Sequence, residues 1–237
     1  MSRKWITLVT GAMILSEAVL RAASLALSSS APTPGSNDIY NFSGASHDGA
    51  NVSDGAAYAD GADNDGFTYV AGDRADQGQT FTTGNNTNGY LVNAIWVRHV
   101  GYTNNTALTW WQMDSGVTLT VRITDPSQAG TAGFAIRTET YTTTGNEGWS
   151  GSHNSDNGDG EWVLITFDSP VSLLPNTRYG FDLTTATTGA FFEWLGTSND
   201  VFSGGGAYNG STTGSPDEAM NSLSGDRVFL ISMGGAT

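Results

Sequence analysis

Aromatic residues in polar, turn-rich segments are the side chains of this sequence best suited to bind a ligand. Trp110 and Trp111 form a pair in such a segment, with Tyr102 close by, and Trp149 lies in another. Trp194 belongs to a later apolar run. Aromatic rings offer flat apolar faces on which sugar rings can stack, while nearby polar side chains bond the hydroxyl groups. The pattern therefore predicts a carbohydrate-binding set made of these five residues.

A second interpretation of the same rings is structural. Large aromatic side chains dominate the cores of β proteins, so these rings could instead cap an apolar interior. Trp96 and Trp162 lie inside strand-like runs, and we expect both of them in the core. Exposure of the rings on an open surface would distinguish a binding platform from a core.

An acidic, glycine-bearing segment ends at Glu161 and also contains Asp156 and Asp159. Hard oxygen ligands on flexible loops are what Ca²⁺ requires. The spacing does not match the twelve-residue loop of an EF-hand. The sequence thus predicts a Ca²⁺ site at these three residues, with solvated turns as the alternative.

Catalytic constellations are not evident in the sequence, and no catalytic residue is predicted. His47, His99 and His153 share no short motif, and no Gly-x-Ser-x-Gly elbow is present. There is no cysteine, which excludes thiol catalysis and disulfide bonds. A glycosidase needs two carboxyl groups facing one another, and Glu193 has no acidic partner at a spacing of two or four. A polysaccharide-degrading enzyme remains the third functional alternative.

The N-terminus has the layout of a secretory signal. Basic residues at Arg3 and Lys4 precede an apolar run, and Ala22 and Ala23 supply a small-residue cleavage site, so residues 1–23 are predicted as a signal peptide. The apolar run is too short to cross a bilayer, and no transmembrane anchor is expected. Removal of this segment takes away three basic groups and one acid, which changes the formal charge from −14 to −16. Such a surface repels phosphate backbones, so nucleic acid is not expected as a partner.

Short β-rich runs recur between clusters of Gly, Asn, Asp and Pro, which indicates an antiparallel β-sandwich, jelly-roll-like, with about nine or more strands. The predicted runs are 67–70, 79–83, 90–99, 117–123, 134–142, 161–168, 177–184, 190–195 and 227–232, with an early strand at 39–42. Leu119, Val121 and Ile123 alternate toward one face. We expect a flexible linker or arm over residues 24–37 and a single domain over 38–237.

Three phrases carry a resemblance to a known group: Gly78–Thr83, Leu173–Leu183 and Gly204–Tyr208. They are similar to secreted β-sandwich proteins of the exosortase-sorted (PEP-CTERM-type) class found in environmental bacteria. The resemblance implies a lectin-like sandwich and an extracellular role, and it assigns no catalytic residue. Such proteins often end in a Pro-Glu-Pro motif, an apolar span and a basic tail, whereas this sequence ends in Gly234-Gly-Ala-Thr237.

The predicted function is therefore that of a secreted or cell-surface, non-catalytic module that binds a polysaccharide or another component of the extracellular matrix. The structural alternative is a subunit of an extracellular filament or coat, in which the arm adds a strand to the sheet edge of a neighbour.

Overall fold

A computed structural model describes residues 23–28, 30–42, 57–59, 77–98, 116, 118–144, 162–184, 193–197, 200–209, 221–222 and 225–236. Within those ranges the chain is all-β, with one 3-10 turn at Pro126–Gln128. The strands there are β1 (Ser24–Ser28), β2 (Ile39–Asn41), β3 (Ala57–Ala59), β4 (Gln77–Thr82), β5 (Tyr90–Arg98), β6 (Thr118–Thr124), β7 (Ala135–Thr142), β8 (Trp162–Leu173), β9 (Arg178–Thr184), β10 (Glu193–Thr197), β11 (Ala207–Asn209), β12 (Asn221–Ser222), β13 (Asp226–Arg227) and β14 (Phe229–Gly235).

Two antiparallel sheets form a sandwich. The five-stranded sheet has the order β1-β8-β5-β14-β2, and the six-stranded sheet has the order β12-β11-β4-β9-β6-β7. Eight strands form the sandwich framework, and successive ones lie in different sheets except for the β6–β7 hairpin; they are β2, β4, β5, β6, β7, β8, β9 and β14. That order is the double Greek key of a jelly roll, so the predicted fold class is confirmed. A small third sheet has the order β13-β10-β3.

The core lies between the two sheets and is built by period-two alternation, because successive side chains of a strand point to opposite faces. Leu119, Val121 and Ile123 are fully buried, as their alternation predicts. Phe181 of β9 contacts Phe229 of β14 with ring centroids 5.5 Å apart, which joins the two layers. The interior is thus one contiguous apolar cluster.

Strand β8 is apolar on both faces and has a neighbour on each side, β1 and β5. Val163 is buried toward the core, while Trp162 is buried on the outer face of the five-stranded sheet. Trp96, which was expected in the core, is only half-buried. Its position opposite Leu164 in the ladder places it on that same outer face.

The structure differs from the sequence prediction in the segment 24–37, which was expected to be a flexible linker or arm. Ser24–Ser28 forms β1 and pairs antiparallel with Trp162–Thr166 of β8, at the edge of the five-stranded sheet. Leu25 and Leu27 pack against the core, whereas Ala26 is exposed. This alternation was obscured in the sequence because serines and alanines flank the two leucines. Residues 1–22 of the predicted signal peptide (1–23) lie outside the described residues.

Candidate functional site

A cleft of about 400 Å³ opens at one side of the sandwich, where β2 ends the five-stranded sheet and the loop 200–206 approaches β4. We call it the β2 cleft. Its lining combines polar and aromatic residues, which include Ser36, Asn37, Asp38, Tyr40, Phe202 and Ser203. Concave sites of this size with a few convergent polar groups are the usual form of small-ligand sites.

The carboxylate of Asp38 fixes the wall of the β2 cleft that leads into β2. Its Oδ1 accepts a hydrogen bond from the Met233 amide at 2.7 Å, and its Oδ2 accepts one from the Gly35 amide at 2.8 Å. The first bond ties the turn to β14, and the second closes the turn itself. Charge-assisted bonds of this kind are stronger than neutral ones, so the backbone beside Asn37 is held in place.

The opposite wall is the loop 200–206, which is anchored from beneath by Asp226. The Oδ2 of Asp226 accepts from the amides of Val201 at 2.7 Å and Phe202 at 2.8 Å. Gln79 donates to the other carboxylate oxygen at 3.0 Å. The Phe202 ring packs edge-on against Phe229 with centroids 5.3 Å apart. Both walls are therefore positioned before any ligand binds.

Three polar side chains of the β2 cleft are available to a ligand. Among the described residues, Ser36, Asn37 and Ser203 take part through their side chains in no hydrogen bond or ion pair. Ser36 and Ser203 are exposed, and Asn37 is half-buried. Two hydroxyl groups and one amide supply both donors and acceptors, which is what hydroxyl-rich ligands require.

Aromatic rings continue from the β2 cleft onto the outer face of the five-stranded sheet. Tyr40 is 47% exposed and Phe42 is 36% exposed, and their ring centroids lie 5.0 Å apart. Phe42 contacts Trp162 edge-on at 5.1 Å, and the guanidinium of Arg98 lies 6.0 Å from the Trp162 ring centre. The buried Trp162 ring thus supports Phe42, and Phe42 in turn contacts Tyr40, so the exposed rings form an apolar strip beside the polar groups.

A buried polar network holds β11, the strand that follows the cleft loop. Arg122 Nε donates to Asp182 Oδ1 at 2.7 Å, and Tyr208 donates to Asp182 Oδ2 at 3.0 Å. The Tyr208 hydroxyl also lies 3.1 Å from the Thr124 hydroxyl. Burial raises the pKa of Tyr208 well above its ordinary value, and the nearby Asp182 carboxylate adds to the effect. The network is inaccessible to a ligand, so we assign it a structural role.

A second network ties β7 to β8 where the two sheets approach. Arg137 bonds Glu139 and Asp168, and the Tyr141 hydroxyl donates to Glu139 at 3.0 Å. The hydrogen bond from Ser169 lowers the pKa of Asp168, and burial raises the pKa of Tyr141 above its ordinary value. Because Arg137 of β7 bonds both Asp168 and Ser169 of β8, we assign this cluster a structural role.

The predicted site residues fall mostly outside the described part of the chain. Tyr102, Trp110, Trp111 and Trp149 are among them, as are the predicted Ca²⁺ ligands, which are Asp156, Asp159 and Glu161. Trp194 lies in β10, opposite Tyr58 of β3. The sugar-binding and Ca²⁺ assignments of these residues stay predictions.

Sequence reasoning assigned no role to Tyr40 and Phe42. Their spacing of two within the predicted strand 39–42 is the signal that would place both rings on one face. In the part of the chain that the structure describes, no group of three or more His, Asp or Glu side chains could hold a metal ion. None of the described residues forms a helix long and apolar enough to span a bilayer.

Comparisons with protein-family models, with curated proteins and with solved structures found no match to this chain. Function therefore has to be inferred from the geometry of the β2 cleft and the neighbouring rings.

Proposed function

We propose that this protein is a non-catalytic carbohydrate-binding module and that the β2 cleft, together with the rings of Tyr40 and Phe42, is its binding surface. The observation that carries the proposal is the adjacency of two exposed aromatic rings to three polar side chains that have no partner in the described structure. A pyranose has the complementary chemistry, because its C–H faces are apolar and its rim carries hydroxyl groups.

In this binding mode the aromatic residues contact the faces of the sugar rings, and the polar residues bond the hydroxyl groups. The Tyr40 ring stacks under a sugar face, and Phe42 extends the contact to the next sugar of the chain. Asn37 accepts and donates hydrogen bonds at the rim, with Ser36 and Ser203 beside it. Because Asp38 and Asp226 already hold both walls, little conformational entropy is lost when the ligand binds.

We place this activity outside the cytoplasm, at the cell surface or in the surrounding matrix. The signal-like residues 1–23 and the resemblance to exosortase-sorted proteins support that location. The predicted Ca²⁺ site at Asp156, Asp159 and Glu161 would serve to order its loop rather than to perform catalysis. Polysaccharide is the partner that fits a shallow, open cleft continuing onto a sheet face.

The test is depletion of the protein from solution by insoluble polysaccharides, with cellulose, chitin, xylan and alginate beads as the probes. We expect wild type to be retained on at least one, and Tyr40→Ala to weaken its binding about tenfold, which corresponds to the loss of about 1.5 kcal/mol of ring contact. Phe42→Ala should weaken it by a similar factor.

The matched control is Ile136→Ala, since Ile136 is an exposed apolar residue of β7 and lies away from the cleft. It should bind as wild type does. Unchanged retention of Tyr40→Ala, with thermal unfolding equal to that of wild type, would place the binding surface elsewhere. Wild type that binds none of the polysaccharides would refute the proposed function.

A further inference from the structure

Strand β1 lies at one edge of the five-stranded sheet and has a neighbour on one side only. Its sheet partner is β8, along the register Ser24 with Thr166 to Ser28 with Trp162. None of its five residues is fully buried, and only Leu25 and Leu27 pack against the core. An edge strand with one partner and a narrow apolar stripe has a low local stability.

The chain between β1 and β2 acts as a long and stiff connection. β1 and β2 lie at opposite edges of the same sheet, so the connection crosses four strand spacings, or about 19 Å. The eleven steps from Ser28 to Ile39 can reach about 36 Å when extended. Pro32 and Pro34 favour an extended backbone at themselves and at the preceding residues. The reach of this connection exceeds the span within one domain, so the connection is also long enough to carry β1 to a second copy of the chain.

The position that β1 occupies beside β8, which we call its seat, includes unfilled space. A cleft of about 300 Å³ lies beside its first residues, between Ser24 and Leu25 on one side and Thr140 to Thr142 of β7 on the other. The predicted cleavage near Ala23 would give β1 a free end at Ser24. A strand with a free end can leave its sheet and enter another one without threading a loop.

We propose that β1 exchanges between two copies of this chain, so that Ser24–Ser28 of one copy pairs with β8 of the other. The exchanged strand makes the same ladder and the same leucine contacts as before, because both copies present an identical seat. The extended Pro32–Pro34 connection then runs between domains, which removes the need to turn back. The exchanged fraction rises with protein concentration, as it does for any bimolecular association. This inference is independent of sugar binding.

The test uses a pair of introduced cysteines. No other thiol competes for the disulfide, because the chain contains no cysteine of its own. Ala26 and Leu164 are directly opposite in the β1–β8 ladder, at the Cα separation of about 4.5–5.5 Å that a disulfide tolerates. One chain from which residues 1–23 have been removed carries Ala26→Cys, and a second such chain, of different tag size, carries Leu164→Cys. After the two are unfolded, mixed and refolded together, we expect a disulfide-linked heterodimer. A mixture that yields only free single chains overturns the proposal.

Thr120→Cys and Thr140→Cys, opposite each other in the β6–β7 hairpin, form the matched control. This hairpin is not exchanged, so the same mixture should yield no heterodimer above background.

The second measurement uses the unsubstituted chain, which avoids any folding defect of the variants. Sedimentation should show two-chain species that increase with concentration, whereas a monomer at every soluble concentration would overturn the proposal. Pro32→Ala with Pro34→Ala should lower the two-chain fraction severalfold.

Discussion

Arg122 and Asp182 form an ion pair on the face of the six-stranded sheet that points away from the core. Asp182 is fully buried and Arg122 nearly so, and the Arg122 guanidinium also lies 5.6 Å from the Phe134 ring centre. Alternation with Leu119 and Val121 places Arg122 on the opposite face of its strand, but it does not indicate that this face is covered as well. When both faces of a sheet are covered, a charged side chain on either face is buried and needs an oppositely charged partner.

Removing one member of this pair should be costly. We expect Asp182→Ala to lower the free energy of unfolding by about 3–5 kcal/mol, because it leaves the Arg122 charge buried without its carboxylate. Denaturant unfolding measures the loss. Arg122→Met combined with Asp182→Leu should lose clearly less than Asp182→Ala alone. A double variant as unstable as the sum of its single variants would contradict this account of the pair.

The rings of the proposed binding surface show which features of a site can be predicted from residue patterns and which cannot. Sugar recognition by aromatic rings was predicted from Trp110, Trp111 and their neighbours, whereas the described structure offers Tyr40 and Phe42. The spacing of these two rings was legible in the sequence. The shared cleft of Tyr40 and Ser203 was not, because it is formed by segments distant in the chain and depends on which strands become neighbours.

Strands were the elements that the sequence predicted best. Most described strands match a predicted run, since alternation and turn residues are local signals. Local signals do not predict the order of the strands within each sheet. They also did not predict β1, because its two leucines make an alternating pattern too short to recognise. Strand β8 is longer than predicted because Pro170 does not end it.

Glycines in β4 and β9 leave room for the Tyr208 side chain of β11. The Tyr208 ring lies close to Gly78 and Gly180, and a Cβ at Gly78 would come within 2.1 Å of that ring. We expect Gly78→Ala to displace Tyr208 from Asp182 and to lower the free energy of unfolding by about 1–3 kcal/mol. Thermal unfolding provides the measurement.

Gly206→Ala is the appropriate control, since no atom lies within 4 Å of a Cβ at that position. Its stability should remain close to that of wild type. If Gly78→Ala were equally neutral, the Tyr208 ring could not occupy the position that the structure gives it.

At the scale of the whole molecule, the two raised tyrosine pKa values make stability depend on alkaline pH. Burial raises the pKa of Tyr141 and of Tyr208 above the ordinary value of about 10 that they have in the unfolded chain. Below pH 10 both groups keep their protons in either state, and the full stability is present. Above it the unfolded chain loses protons first, so the free energy of unfolding falls as pH rises.

Each tyrosine contributes up to about 1.4 kcal/mol per pH unit to this fall. We expect Tyr208→Phe to flatten the decline between about pH 10 and pH 12, as measured by urea unfolding at several pH values. A decline just as steep in Tyr208→Phe and in Tyr141→Phe would show that neither ionisation limits alkaline stability.

The most direct test of the proposed binding surface is amide hydrogen exchange with and without a soluble oligosaccharide of whichever polysaccharide retains the protein. We predict slower exchange on binding in residues 36–42 and 202–204, where the β2 cleft and its rings lie, with β7 unchanged. Protection confined to other segments, with residues 36–42 exchanging as fast as in the free protein, would contradict the assignment of sugar binding to this surface.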